Sequence, residues 1–192
     1  MILEGIVTTI NEDGTTNISP MGPIVEPDMR RFRLRPYRTS TTYANLKRTG
    51  HGVLHVTDDV LLLARAAIGS VEPEPPLLDS ADEQCRVLAD ACRWYAFRVT
   101  TLDDDQERTD IAVEVTGSER LRDFFGLNRA KHAIVEAAIL ATRVAFLPAQ
   151  QIAEEMGRLA VLVEKTGGPA EHEALELLQA YIRDATPVEP TR

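Results

Sequence analysis

Arg31-Phe-Arg-Leu-Arg-Pro-Tyr-Arg-Thr-Ser-Thr-Thr-Tyr-Ala-Asn-Leu-Lys-Arg-Thr-Gly50 is the stretch on which the fold turns. Its first five residues alternate, with Phe32 and Leu34 on one face and Arg31, Arg33 and Arg35 on the other, which predicts a half-buried strand with a basic outer side. Pro36 ends that strand. Four consecutive hydroxyl residues, Thr39 to Thr42, then stand where the N-cap of a short helix would fall, and Gly50 supplies the stop. A strand running into a helix through a hydroxyl-rich turn places unpaired backbone N–H groups at the helix N-terminus, where the helix dipole adds positive potential. Arg35 and Arg38 add forked donors suited to phosphate oxygens. From Met29 to Gly50 there are seven Lys or Arg residues and no Asp or Glu, within a chain whose net charge is -9. A basic island in an acidic protein suits a small anion such as a phosphate monoester, and the overall charge argues against binding nucleic acid or an anionic membrane. Taken alone, these residues are equally accounted for by a capped helix beside a solvated basic strand. The missing acidic neighbours favour the anion.

Upstream, Ile6 to Ile10 is rich in β-branched residues, and Asn11-Glu-Asp-Gly14 supplies a turn before Thr15 to Ile18, so a hairpin is expected. Ser19-Pro-Met-Gly-Pro23 is expected to break regular structure. Downstream, His51 to Val56 reads as a strand, and Thr57-Asp58 as a cap for a helix reaching about Ala67. The proline-rich run from Val71 to Leu78 reads as a loop, and Ser80-x-x-Glu83 as a capping box for a short helix around Cys85. Two more strands are expected near Trp94 to Leu102 and Ile111 to Thr116, joined by the acidic turn Asp103 to Glu107. Helical patterns then follow, from Ser118 to Phe125, Asn128 to Phe146, Ala149 to Lys165 and Ala170 to Asp184. The expected organisation is therefore α+β: a small antiparallel β-barrel over residues 1–117 and a helical region over residues 118–192.

The chain has 192 residues, enough for a core without disulfides or metals. No apolar run approaches the length of a membrane span. With two cysteines and no signal-like segment, a cytoplasmic protein with reduced thiols is expected. His51, His55, His132 and His172 share no metal-ligand spacing, so no metal site is expected. His55 and His132 are the titratable candidates near neutral pH, without an assignable catalytic role. Cys85 and Cys92, seven apart, would share one helical face, and free buried thiols are the simpler reading.

The order Thr8 to Pro20, Arg35 to Tyr43, Asn45-Leu-x-x-Thr-Gly50 and Val53-Leu-His-Val56 resembles the flavin reductase-like, FMN-binding split barrels. Asn128-Arg-Ala-Lys-His-Ala133 is similar to a helix start in a DUF447-like branch of that group, which adds a helical C-terminal region. The resemblance implies a split barrel and a homodimer with FMN near the subunit interface. It implies a ring against Asn17, Ser19, Pro20 and Met21, and a phosphate on Arg35, Arg38, Thr39, Ser40, Thr41 and Thr42. Asn128 reads well as an N-cap, whereas Arg129 is unfavourable at a helix start. An anion there, such as the flavin phosphate, would reconcile the two. The implied function is a flavin-dependent oxidoreductase of unspecified substrate with a small-molecule electron donor or acceptor. A non-catalytic flavin carrier or sensor, or a barrel holding another phosphorylated ligand such as pyridoxal phosphate, stays open beside it.

Overall fold

The structure, a computed structural model, describes residues 1–79 and 85–185. They form two compact units: residues 1–58 with 73–124, and residues 59–72 with those after 124.

The first unit is built on a curled, seven-stranded antiparallel sheet. Its strands are β1 (Gly5–Ile10), β2 (Thr16–Met21), β3 (Ile24–Val25), β4 (Arg31–Leu34), β5 (His51–Val56), β8 (Arg93–Asp103) and β9 (Asp110–Arg120), in the spatial order β2-β1-β5-β8-β9-β4-β3. β6 (Leu77–Asp79) and β7 (Arg86–Leu88) form a separate two-stranded ribbon. The expected hairpin is present. Asp13 accepts from the Thr15 amide at 3.0 Å, and Gly14 turns the chain at a φ of 84°. β4 alternates as read, with Phe32 and Leu34 buried and Arg31 and Arg33 exposed. Phe32 meets Phe97 edge to face at 5.2 Å, in a core that includes Val7, Leu54, Ile111 and Val113. Helix α1 (Thr41–Thr49) contributes Tyr43 and Leu46 to the same core.

Three expectations are corrected here. Ser19 to Met21 do not break the chain: β2 runs through Pro20, which pairs with Ile6. β2 is an edge strand, where a missing N–H is tolerated because one side of the strand has no sheet partner. Ser118 to Phe125 is not a helix. β9 continues to Arg120, paired with Arg93 of β8, and the chain beyond it is irregular. The helix formers in that segment are overridden by sheet pairing, and Leu121 and Arg122 then donate backbone bonds to the Cys92 carbonyl at 3.0 and 3.2 Å. Cys85 and Cys92 do not share a helix face. Each precedes a strand, both are buried and free, and burial pushes the Cys92 thiol up. The Ser80-x-x-Glu83 box lies outside the described residues.

His55 is fully buried in β5. Its Nδ1 lies 3.1 Å from the Ile6 carbonyl, and its Nε2 accepts from the Leu88 amide at 3.1 Å. That pair of partners fixes a neutral ring protonated on Nδ1, so His55 joins β1, β5 and β7 and leaves the set of catalytic candidates. Burial lowers its pKa from 6.5 to about 4. Between those values the unfolded chain takes up a proton that the folded chain refuses, so stability is lost as pH falls. At pH 5 the loss relative to pH 7 is about 2 kcal/mol. Urea unfolding of wild type and His55→Gln at both pH values should show the wild type losing more, and parallel losses would contradict this reading.

The second unit is helical: α2 (Val60–Ala67), α3 (Arg129–Ala141), α4 (Ala149–Thr166) and α5 (Pro169–Ala185). α2 is capped by Asp59, whose carboxylate accepts from the Leu62 amide. It packs against α3 and α5, while α3 also packs against α4. Ala130, Ala133, Ile134, Ala137, Ala138 and Ala141 of α3 are all buried, and their small size allows close helix approach. α3 stops at Ala141, short of Phe146, which is exposed. No described helix is long and apolar enough to cross a membrane.

Candidate functional site

Arg35 to Ser40 forms the turn between β4 and α1, and Thr41 and Thr42 open the helix. Ser40 is the N-cap: its hydroxyl accepts from the Tyr43 amide at 3.2 Å and donates to the Tyr37 carbonyl at 2.7 Å. Gly50 ends the helix in the left-handed region, its amide bonding the Leu46 carbonyl. With Tyr43 capped, the amides of Thr41 and Thr42 are first-turn donors without a partner among the described residues.

The cations around this turn divide into two sets. Arg30, Arg31 and Arg33 are paired with Asp28, Glu26 and Asp110. The exposed side chains of Arg35 and Arg38 form no ion pair among the described residues, and the hydroxyls of Thr39 and Thr41 are exposed. The turn thus offers two guanidinium groups in no ion pair among the described residues, two first-turn amides and two exposed hydroxyls, with Asp104 near enough to feel the Arg38 charge. The donor set fits a phosphate dianion.

The other two hydroxyls of the run are committed to the protein. Ser40 is the cap described above. Thr42 is 1% exposed and accepts from Asn17 Nδ2 at 3.1 Å. The same Asn17 amide donates to Thr9, 3.1 Å away, and Asn45 Nδ2 donates to Thr9 at 3.0 Å and Asn11 at 2.8 Å. This buried ladder fastens α1 to β1 and β2, and it brings the sequence-expected Asn17 into direct contact with the first turn of α1. Ser19 and Met21 follow Asn17 on the same face of β2. Met21 packs against the core, and Ser19 is half-buried with no side-chain hydrogen bond among the described residues. Pro20 points to the opposite face. Asn45→Ala would remove one of the two donors to the Thr9 hydroxyl and the Asn45 donor to the Asn11 side-chain oxygen, at a cost of about 1–3 kcal/mol. A melting temperature within error of wild type would show that the ladder does not hold α1.

From the other side the turn is clamped by the loop joining β8 and β9. The Arg38 amide donates to the Glu107 carbonyl at 2.9 Å. Thr109, buried, donates to the Pro36 carbonyl from its amide at 3.0 Å and from its hydroxyl at 2.8 Å. Arg108 Nε donates to the Arg35 carbonyl at 3.1 Å, and its guanidinium lies 5.3 Å from the centre of the Tyr37 ring. Asp104 receives Lys47 at 2.7 Å and the Tyr43 hydroxyl, and these bonds hold its carboxyl below the usual range. Neither Thr109 nor Asp104 is marked in the sequence. Their partners lie dozens of residues away, and only folding joins them.

Asn128 and Arg129 belong to the second unit. Asn128 caps α3, accepting from the Lys131 amide at 3.1 Å, and donates to the Thr166 carbonyl at 3.1 Å. Its side chain is thus fully explained by packing between α3 and α4. Arg129 is exposed at the first turn of α3 and forms no ion pair among the described residues. Among the described residues no cluster of His, Cys, Asp and Glu could hold a metal ion.

Two family models match the chain. The one described as "Protein of unknown function (DUF447) N-terminal domain" covers residues 3–122, and that described as "Protein of unknown function (DUF447)" covers residues 128–180. No curated protein matches. Among solved structures, the FMN-bound protein MM1853 from Methanosarcina mazei, of the DUF447 family, superposes with a TM-score of 0.81 at 23% identity over 94% of each chain. A flavin reductase domain protein from Arthrobacter sp. FB24 gives 0.56 at 18% identity, over 64% of this chain and 80% of that one. Flavoredoxin from Methanosarcina acetivorans gives 0.53 at 8% identity, over 62% and 68%. The sheet is therefore that of the flavin reductase-like split barrels, and the chain carries a helical region in addition.

Proposed function

The chain belongs to the DUF447 family, and on that premise we propose that it binds FMN, with the phosphate at the turn between β4 and α1. The observation that carries this reading is the pair of exposed arginines in no ion pair among the described residues, Arg35 and Arg38, in the turn that leads to the first-turn amides of Thr41 and Thr42. A phosphate monoester carries about -1.5 to -2 charges at neutral pH, which this donor set can balance. An FMN-bound relative of the same fold supports the identity of the ligand. Thr39 and Thr41 supply hydroxyl donors. Ser40 and Thr42 shape the turn, the first by capping α1 and the second by anchoring it to Asn17.

The ring is assigned to the β2 side of the site. As an edge strand, β2 presents backbone groups that β1 does not use, and these can meet the polar edge of a flavin. Ser19 adds a half-buried hydroxyl with no partner among the described residues, Asn17 holds the adjoining helix, and Pro20 and Met21 limit water access with apolar surface. Arg129 is assigned to an anion at its own helix start. Asn128 contributes there by fixing that start, and unchanged FMN affinity in Arg129→Ala would remove both from the site.

Bound FMN would supply hydride or electron chemistry, while these residues bind it, orient it and restrict solvent. The proposed role is a flavin-dependent oxidoreductase acting as a homodimer with a small-molecule electron donor or acceptor. The test is anaerobic addition of reduced nicotinamides to the flavin-loaded protein. Loss of the flavin's visible absorbance within the mixing time supports the reductase. A spectrum that stays unchanged favours a carrier or sensor. Sedimentation of the same sample tests the dimer, and a single monomeric species would remove it.

A further inference from the structure

One side chain of the clamping loop makes more contacts than the clamp needs. Three bonds already tie the loop to the turn: the Arg38 amide to the Glu107 carbonyl at 2.9 Å, and Thr109 to the Pro36 carbonyl from its amide at 3.0 Å and its hydroxyl at 2.8 Å. Arg108, between those two loop residues, pairs with Tyr37 through a backbone bridge, and its side chain turns onto the same segment. Its Nε donates to the Arg35 carbonyl at 3.1 Å, and its guanidinium lies over the Tyr37 ring, 5.3 Å from the centre. A guanidinium laid on an aromatic face keeps the donors along its edge for other partners. Among the described residues Arg108 forms no ion pair, and its terminal nitrogens Nη1 and Nη2 make no hydrogen bond. Asp104 of the same loop is already taken by Lys47 and Tyr43.

Resting on the FMN reading, we propose that Arg108 is a third guanidinium of the phosphate site, reaching it from the β8–β9 loop, and that Tyr37 is the ring that positions it. Tyr37 stands between Arg35 and Arg38 in sequence, so the ring that carries Arg108 lies between the two arginines already assigned to the phosphate. Arg108 comes to that turn from 73 residues away in the chain. A phosphate monoester has three strong acceptor oxygens, and a third fork finds acceptors that two leave open. An arginine stem is ordinarily free to turn. Fixing it beforehand, through Nε and through the ring, lowers the entropy lost when an anion arrives. Carrying the guanidinium also gives the half-exposed Tyr37 ring a role that the core does not.

The test is titration of the flavin-free protein with FMN and with riboflavin, which keeps the ring and the ribityl chain and lacks the phosphate. Arg108→Ala should weaken FMN about tenfold, the low end for a charge-assisted bond, and leave riboflavin within about twofold of wild type. The urea midpoint of flavin-free Arg108→Ala should stay close to that of wild type, because three other bonds keep the loop on the turn. Arg108→Lys should recover part of the FMN affinity, and Tyr37→Leu should weaken FMN by a smaller factor than Arg108→Ala. Arg120→Ala, at the far end of the same β8–β9 pair, should change neither affinity. FMN affinity unchanged in Arg108→Ala would overturn the proposal. So would an equal loss of both ligands, a loss matched by a fall in the urea midpoint, or an equal loss in Arg120→Ala. In each of those cases the wild type still binds FMN and the FMN reading stands. Failure of the wild type to bind FMN would overturn that reading, and this proposal with it.

Discussion

Replacing both Arg35 and Arg38 by alanine lowers the affinity for FMN by about 100-fold or more, because each charge-assisted bond to phosphate contributes roughly 1.5–3 kcal/mol. Both side chains are exposed and form no ion pair with a described carboxylate, although Arg38 acts through space on the Asp104 carboxyl. Stability should stay within about 0.5 kcal/mol of wild type, which separates a lost ligand contact from a lost fold. Arg38→Lys should recover only part of the affinity, since an ammonium offers a point charge in place of a fork. Titration of the double variant at matched ionic strength checks this, and an unchanged dissociation constant would move the phosphate elsewhere.

The second large effect lies in the helical unit. Glu171 of α5 and Lys131 of α3 are joined at 2.9 Å, with side chains 8% and 20% exposed. The other carboxylate oxygen accepts from the Gly168 amide at 2.8 Å. Burial pushes the carboxyl up, and the bonds from Lys131 and Gly168 outweigh it, leaving Glu171 below its ordinary value. Glu171→Ala removes the carboxylate that joins Lys131 to the Gly168 amide and should cost about 3 kcal/mol of unfolding free energy. Glu171→Gln, which keeps an acceptor for Gly168, should cost less. Replacing both partners by apolar residues of similar size should recover much of the loss, since the desolvation of both charges disappears with them. The ionised pair contributes above the ordinary carboxylate pKa, and its contribution is lost as pH falls through the lowered one. Urea unfolding near neutral pH measures the series, and a Glu171→Ala midpoint equal to wild type would show that the pair holds nothing together.

The turn between β4 and α1 was readable because its determinants are local. Ser40 caps the helix three residues before Tyr43, and Gly50 adopts the backbone angle that glycine accepts most readily. The alternation around Phe32 and the Asp13-Gly14 turn are equally short-ranged. What escaped the sequence depends on partners far along the chain. Pro20 sits in a strand because β2 is an edge, and edge position is a property of the whole sheet. Ser118 to Arg120 are extended because β8 is long enough to pair with them. The site divides in the same way. Arg35 and Arg38 stood out as charges without acidic neighbours in sequence. The ladder through Thr9, Asn17, Thr42 and Asn45 joins two strands to a helix, and Thr109 reaches back to Pro36. Polar residues of this kind look like solvated surface until the fold buries them.

The most direct test of the flavin assignment is the visible absorbance of the protein purified without a tag, followed by mass spectrometry of whatever ligand denaturation releases. The account predicts the two flavin bands and the release of FMN. A colourless protein that also fails to take up added FMN would contradict it.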